Sequence, residues 1–300
     1  MKYAITHTTH YTYSRPVYLG PHILRLCPRQ DGSQWLRSFD LTISPEGKVQ
    51  QAYFLDANGN TCVNATFQTP LTEFCIRSHS EVHTTRSNPF DYLSEPWAVS
   101  FPIDYPGSLS AQLAPYLRLP SGSPQTDAAV VQLAQSLAQK ASDNVGYFLM
   151  GLTQHIPQLC DYQQRLEGAA YSPGITLQKK LGTCRDFAVL FVAACRAMGL
   201  AARFVSGYQE GDAGSDDSQT THDLHAWAEV YVPGGGWRGF DPTLGLAVAD
   251  RHVAIAASYL PPQAAPVTGT IKQHLPEQGK NLTPVTTKFE TDISLEVLGE

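Results

Sequence analysis

A cysteine, a histidine and an aspartate follow one another along this chain in settings suited to thiol chemistry on acyl groups. Cys184 lies in Gly182-Thr183-Cys184-Arg185-Asp186-Phe187-Ala188, where a short loop runs directly into an apolar, helix-like stretch. His225 lies in Leu224-His225-Ala226-Trp227-Ala228-Glu229-Val230-Tyr231, and Asp241 closes Gly236-Trp237-Arg238-Gly239-Phe240-Asp241 ahead of Pro242. A nucleophile, a base and a group that orients the base form the working set for acyl transfer through sulfur. At a helix start, unpaired backbone N–H groups and the macrodipole favour a thiolate. The N–H of Cys184 could also face the oxygen of a tetrahedral intermediate, supplying half of an oxyanion hole.

Taken singly, each residue has a plainer explanation. Cys184 could be a buried thiol acting as a small hydrophobe. His225 could be an ordinary core or surface histidine, and Asp241 could begin a turn before Pro242. Their joint order around one helix and one hairpin argues for a site. Other candidates are weaker. His222 and His225 match no standard zinc spacing, and Asp212, Asp216 and Asp217 lack the spacing of a calcium loop, so no metal and no cofactor is expected. Asp186 reads as a first-turn acid complementing the helix dipole, Arg185 as a surface or interdomain contact. Trp227 and Trp237 read as packing residues flanking the cleft, and His7 and His10 as strand residues without a special role.

These side chains need a helix and a sheet to hold them. Phe187, Ala188, Leu190, Phe191, Ala194, Cys195 and Met198 share one broad helical face, and Gly199 stands where a C-terminal cap belongs. Ala201 to Tyr208 reads as a strand, followed by an acidic, Ser-rich loop from Glu210 to Thr221. In the strand His225 to Val232, alternation puts Ala226, Ala228, Val230 and Val232 on the core side. His225, Trp227, Glu229 and Tyr231 share the other side, so His225 faces the cleft with Trp227 beside it. Pro233-Gly234-Gly235-Gly236 has hairpin composition, so Asp241 on the returning strand can reach His225. Upstream, Ala128 to Lys140 has helical spacing, Val145 to Leu166 reads as a helical region interrupted near Pro157, and Leu166 to Gly182 reads as a loop. Helices followed by antiparallel strands predict an α+β fold.

The first hundred residues alternate with period two in Tyr3 to Tyr13, Leu36 to Ile43, Val63 to Thr69 and Phe74 to Val82. Turn signals at Ser44-Pro45-Glu46-Gly47 and Ala57-Asn58-Gly59-Asn60 separate the runs, which suggests a small sandwich or barrel. The expected organisation is a β-sandwich-like domain over 1–100, a connector over 101–124, a catalytic domain over 125–265 and a tail over 266–300 that adds a strand near Val285 to Val297. With 300 residues, 42% hydrophobic and 16% charged, the chain has the composition of a globular protein with room for two cores. A net charge of −6 without any run of Lys or Arg gives no face for nucleic acid. No apolar run approaches the roughly 18 to 20 residues of a membrane span, and the N-terminus has no signal-peptide core. A cytoplasmic protein is expected. The six cysteines, at 27, 62, 75, 160, 184 and 195, are scattered without a disulfide framework, as in a reducing compartment.

The segment Gly182 to Tyr208 resembles the nucleophile region of bacterial transglutaminase-like proteins. His225-Ala-Trp-Ala-Glu-Val-Tyr and Gly236-Trp-Arg-Gly-Phe-Asp-Pro-Thr resemble that family's histidine and aspartate blocks. Thr8-Thr-His-Tyr-Thr-Tyr13, His22-Ile-Leu-Arg-Leu-Cys-Pro-Arg29 and Asp56-Ala-Asn-Gly-Asn60 resemble the β-rich domain often found ahead of the catalytic one. The resemblance implies a papain-like α+β transglutaminase core with Cys184 as nucleophile, His225 as base and Asp241 as orienter. It also implies a protein or peptide amide as substrate. Members include cross-linkers, peptide or amide hydrolases, and scaffolds that have become non-catalytic binding or assembly modules. The calcium sites of animal cross-linking enzymes have no counterpart here. Hydrolysis is preferred, since the sequence shows no acceptor pocket. Gln178 and Tyr171 are the candidates for a second oxyanion donor.

Overall fold

The computed structural model describes residues 1–118, 127–165, 168–211, 224–272 and 284–299. The N-terminal strands are β1 (Lys2–Leu19), β2 (His22–Leu24), β3 (Gln34–Ser44), β4 (Val49–Leu55), β5 (Thr61–Phe67) and β6 (Leu71–Thr84). In β1 every second residue is buried, with Tyr3, Ile5, His7 and Thr9 pointing inward. β1 and β3 flank β6 in one antiparallel sheet, and β2, β5 and β4 form a second. Tyr3, Ile5, Leu24, Ile43, Val63, Phe74 and Ile76 from both sheets share one apolar cluster.

The chain then passes through helix α1 (Gly107–Leu117) to α2 (Ala128–Lys140) and α3 (Val145–Leu159). α2 coincides with the expected helix, and the Asp127 side chain accepts a hydrogen bond from the Ala129 N–H to cap it. α3 is not interrupted at Pro157. The proline falls in the last turn, where few downstream bonds remain to be lost, and the helix stops at Leu159.

Short β7 (Asp161–Tyr162) pairs in parallel with β8 (Leu181–Gly182). Between them the expected loop contains a helix, α4 (Pro173–Lys179). Its first residue is the proline that suggested a turn, because Pro at the first helical position loses no internal hydrogen bond. α5 (Cys184–Ala197) follows, ending ahead of Gly199, whose φ is +77°.

The strands that come next are β9 (Ala202–Gln209), β10 (His225–Val232), β11 (Gly236–Asp241), β12 (Leu246–Ala247) and β13 (His252–Ser258). They form one antiparallel sheet in the order β12-β11-β10-β9-β13. Phe148, Leu152 and Ile156 of α3, Phe187, Leu190 and Phe191 of α5, and Ala228, Val230 and Phe240 of the sheet make the second large core. The mixture of helices and antiparallel sheet is the α+β architecture the sequence predicts.

The C-terminal residues return to the N-terminal β region. β14 (Val267–Thr268) pairs with β2, β15 (Ile271–Lys272) with the end of β1, and β16 (Thr287–Val297) with β1 from Tyr3 to Tyr13. The catalytic-sheet edge β13 is capped by side chains rather than by a strand. Gln34 exchanges two hydrogen bonds of 2.8 Å with the backbone N–H and C=O of Ala254, and Asn60 does the same at 2.9 Å with Ala257. Each carboxamide supplies one donor and one acceptor, so it copies a strand neighbour and satisfies a buried edge. Tyr208, Val253 and Ile255 enter the N-terminal cluster. Among the described residues, no helix is long and apolar enough to cross a membrane.

Candidate active site

Cys184 is the first residue of α5 and is 8% exposed. Two features fix the helix start. Gly182 is needed because a Cβ there would lie 2.9 Å from both the Asp186 Cβ and the Phe187 ring. Asp186, fully buried, accepts from the Thr183 N–H at 2.8 Å, from the Tyr171 N–H at 2.6 Å and from Arg165 at 2.8 and 3.0 Å. Its role is thus larger than that of a first-turn acid: it ties the helix start to the segment that forms one wall of the cleft. Arg185 reinforces that wall by donating to the carbonyls of Arg165 and Gly168.

His225 and Asp241 meet as the hairpin register dictates. Ala228 pairs with Phe240; one further step sets Asp241 across from Trp227, on the side of the sheet that His225 shares. His225 Nε2 lies 2.6 Å from Asp241 Oδ2. The Cys184 thiol acts on the same imidazole by hydrogen bonding and charge, and with Nε2 taken by Asp241, Nδ1 is the nitrogen left for it. Burial works against charging this ring, but the hydrogen bonds to Asp241 and Cys184 and the charges on both outweigh it and raise its pKa to about 10.

Asp241 has no exposed surface. Its Oδ1 accepts from the backbone N–H groups of Thr243 and Leu244 at 2.8 and 3.2 Å, so it does begin a turn, as its position before Pro242 suggested. Its Oδ2 accepts from His225 and, at 3.0 Å, from Nε2 of His252. Burial alone would raise its pKa, yet the hydrogen bonds from His225 and His252 hold it well below the ordinary carboxylate range.

His252 was not legible as a site residue. It lies on β13, separated from β11 by two strands, and no sequence spacing relates it to Asp241. His225, Asp241 and His252 offer two imidazoles and a carboxylate within 4.8 Å of one another, a set that could hold a cation. Both nitrogens, however, approach the same oxygen at direct hydrogen-bond distance, which is the arrangement of donors on a carboxylate rather than of ligands around an ion.

A cleft of about 490 Å³ opens over Cys184 and His225. Tyr162, Gln164 and Arg165 form one side, and Phe289, Glu290 and Thr291 of β16 contribute another. Trp227 does not flank it: the indole is buried at 1% exposure, edge-on to His252 at 5.2 Å between ring centroids. It lies over Gly207, where a Cβ would collide with the indole and with the Val253 carbonyl. Trp237 is also away from the cleft, with the Arg203 guanidinium 4.1 Å from its ring centroid. Gln178 is exposed on α4 and the Tyr171 ring is held between Arg165 and Lys179; neither lines the cleft, whereas Gln164 does. His10 is half-buried with Glu73 3.5 Å away, but His7 is buried and bonded to the Tyr208 hydroxyl at 2.9 Å. His222, Asp212, Asp216 and Asp217 lie outside the described residues.

A thiol at a helix start, an imidazole beside it on a buried carboxylate, and an open cleft above them on an α+β frame are the parts that cysteine-based acyl transfer or hydrolysis uses. Residues 131–242 match the sequence model of the transglutaminase-like superfamily, and residues 3–83 that of the bacterial transglutaminase-like N-terminal region. The chain belongs to the transglutaminase-like superfamily. It is 30% identical over 282 residues to an uncharacterised protein of Mycobacterium tuberculosis, covering 90% of this chain and 87% of that one. It is 31% identical over 135 residues to a protein-glutamine gamma-glutamyltransferase of Pseudomonas aeruginosa, covering 44% of this chain and 20% of that protein. The crystal structure of a candidate cysteine protease from Cytophaga hutchinsonii superposes with a TM-score of 0.70 at 20% identity, over 100% of this chain and 92% of that one. That likeness speaks for the fold.

Proposed function

We propose that the protein is a cysteine-nucleophile enzyme acting on carboxamide or peptide bonds through a thioester. The observation that carries this reading is the single imidazole of His225, bonded to the buried Asp241 and sharing with Cys184, which helps raise its pKa, the lining of one open cleft. The Cys184 proton passes to His225 Nδ1, and the thiolate attacks the carbonyl carbon. The Cys184 N–H and the Gln164 side-chain amide donate to the oxyanion. Collapse of the intermediate breaks the C–N bond, His225 Nδ1 returns its proton to the leaving nitrogen, and ammonia or an amine departs. Water, deprotonated by His225, then attacks the thioester and releases a carboxylic acid and the free thiol. A primary amine in place of water would give transfer instead.

A protein or peptide amide is the proposed substrate, and the name of the Pseudomonas relative supports the glutamine carboxamide as one acyl donor. Hydrolysis is preferred because water requires no acceptor pocket of its own. The test is incubation with a glutamine-containing peptide, with and without a primary amine, followed by ammonia measurement and mass spectrometry. Conversion of glutamine to glutamate supports hydrolysis, an amine adduct supports transfer, and Cys184→Ala should abolish either with its melting temperature kept. If Cys184 reacts with iodoacetamide no faster than free cysteine and no peptide is changed, the core is a non-catalytic binding or assembly scaffold.

A further inference from the structure

Beside His252 is a small cavity of about 20 Å³, lined by Trp227, His252, Gln34, Arg86, Glu229 and Ala254 among others. Two of its lining residues each carry a buried polar atom without a hydrogen-bond partner among the described residues: His252 Nδ1 and Trp227 Nε1. His252 is 5% exposed and Trp227 1%. Both therefore carry the full cost of an unmade hydrogen bond unless something small and polar lies between them, about 1–3 kcal/mol each. The two atoms are chemically complementary. His252 donates through Nε2 to Asp241, so in the neutral ring Nδ1 is an acceptor; the indole N–H is a donor only. Burial lowers the pKa of His252, consistent with a neutral ring. A volume of roughly 10–15 Å³ suffices for one water, which needs two to four polar partners.

We infer that one water molecule occupies this cavity, accepting from Trp227 Nε1–H and donating to His252 Nδ1, and that it makes His252 a positioning residue for Asp241. The carboxylate of Glu229, on the same wall, offers an acceptor for the second water hydrogen. The water holds His252 in the Nε2–H tautomer. That hydrogen reaches Oδ2 of Asp241, whose Oδ1 is already fastened by the Thr243 and Leu244 amides. With both oxygens anchored, the carboxylate stays in the plane that meets His225. This role rests on the reading of His225 and Asp241 as base and orienter; the water and the tautomer do not.

The test combines nitrogen-15 NMR of the histidine rings with two substitutions in the full-length protein. NMR should show His252 as the neutral Nε2–H tautomer at neutral pH, and Trp227→Phe should shift the His252 Nδ1 resonance by withdrawing a partner of the water. His252→Leu should slow iodoacetamide labelling of Cys184 about tenfold through loss of one hydrogen bond to a charged group. His252→Gln, whose amide nitrogen can reach the same point, should recover most of that rate. A folded His252→Leu protein that labels at the wild-type rate would overturn the positioning role. An Nδ1–H tautomer, or a ring that titrates like a free histidine, would overturn the water. If wild-type Cys184 is itself no more reactive than free cysteine, the catalytic reading fails, and NMR still decides the water-held tautomer.

Discussion

Replacing Asp241 with Asn tests how the imidazole is controlled. In the wild type, Oδ1 accepts two backbone amides and Oδ2 accepts two imidazole N–H groups. Asn keeps one acceptor oxygen. If it stays with the Thr243 and Leu244 amides, the NH2 group faces two donors, and His225 must turn its lone pair toward residue 241. Nδ1 then carries the hydrogen and can no longer take the Cys184 proton. The rise of the His225 pKa from 6.5 to about 10 corresponds to roughly 5 kcal/mol in favour of the imidazolium. Asp241 contributes more of the hydrogen bonding and charge stabilisation than Cys184, so at least half is at stake, about 2.5 kcal/mol. That is a loss of about 50-fold or more in the labelling of Cys184 at neutral pH. The assay is the bimolecular rate with iodoacetamide between pH 5 and 10.5, with the modified residue located by mass spectrometry. Because the folded pKa is raised, the imidazolium persists until pH passes about 10; in Asp241→Asn that limit should fall by about two pH units or more. A variant within threefold of wild type, with the same pH profile, refutes the argument.

Removing the edge cap with Asn60→Ala leaves the Ala257 N–H and C=O unmatched in a buried strand. A loss of about 2–4 kcal/mol in urea unfolding is expected, and a change below 0.5 kcal/mol, an estimate of ordinary surface effects, counts against the capping role. Asp186→Ala strips the charge from a buried carboxylate paired with Arg165 and should cost about 3–5 kcal/mol while slowing Cys184 labelling; a stable variant with an unaltered labelling rate would separate Asp186 from the site. Burial lowers the His7 pKa to about 4. Below its unfolded value the open chain binds a proton that the folded one does not, so His7 favours folding above about pH 6.5 and this is lost as pH falls toward 4. The difference amounts to roughly 3 kcal/mol. His7→Gln should flatten the loss of unfolding free energy over that interval, and an unchanged slope would assign it to other groups.

Much of the site is local and so was legible. The helix of Cys184 follows from an apolar face with period 3.6, a capping loop before it and Gly199 after it. The pairing of His225 with Asp241 follows from alternation and a hairpin turn, both set within seventeen consecutive residues. Two local inferences failed for local reasons. Pro173 opens a helix rather than a loop, and Pro157 falls too near a helix end to break it. Trp227 was placed at the cleft because alternation says which side of a strand a residue occupies, not what covers that side.

The chain by itself therefore points to Cys184, His225 and Asp241 as the proposed nucleophile, base and orienter and determines the elements that carry them, because hydrophobic period, turn chemistry and strand alternation act over a few residues. Tertiary structure decides how Asp241 is held, since His252 arrives from a strand three places away in the sheet. It decides that Asp186 fastens a cleft wall and that Gln34 and Asn60 close a sheet edge across more than 190 residues of sequence. It also brings β16, at the far end of the chain, to the cleft beside Cys184. Such contacts depend on which surfaces pack together, and a hydrogen bond between residues distant in sequence leaves no period or spacing to read.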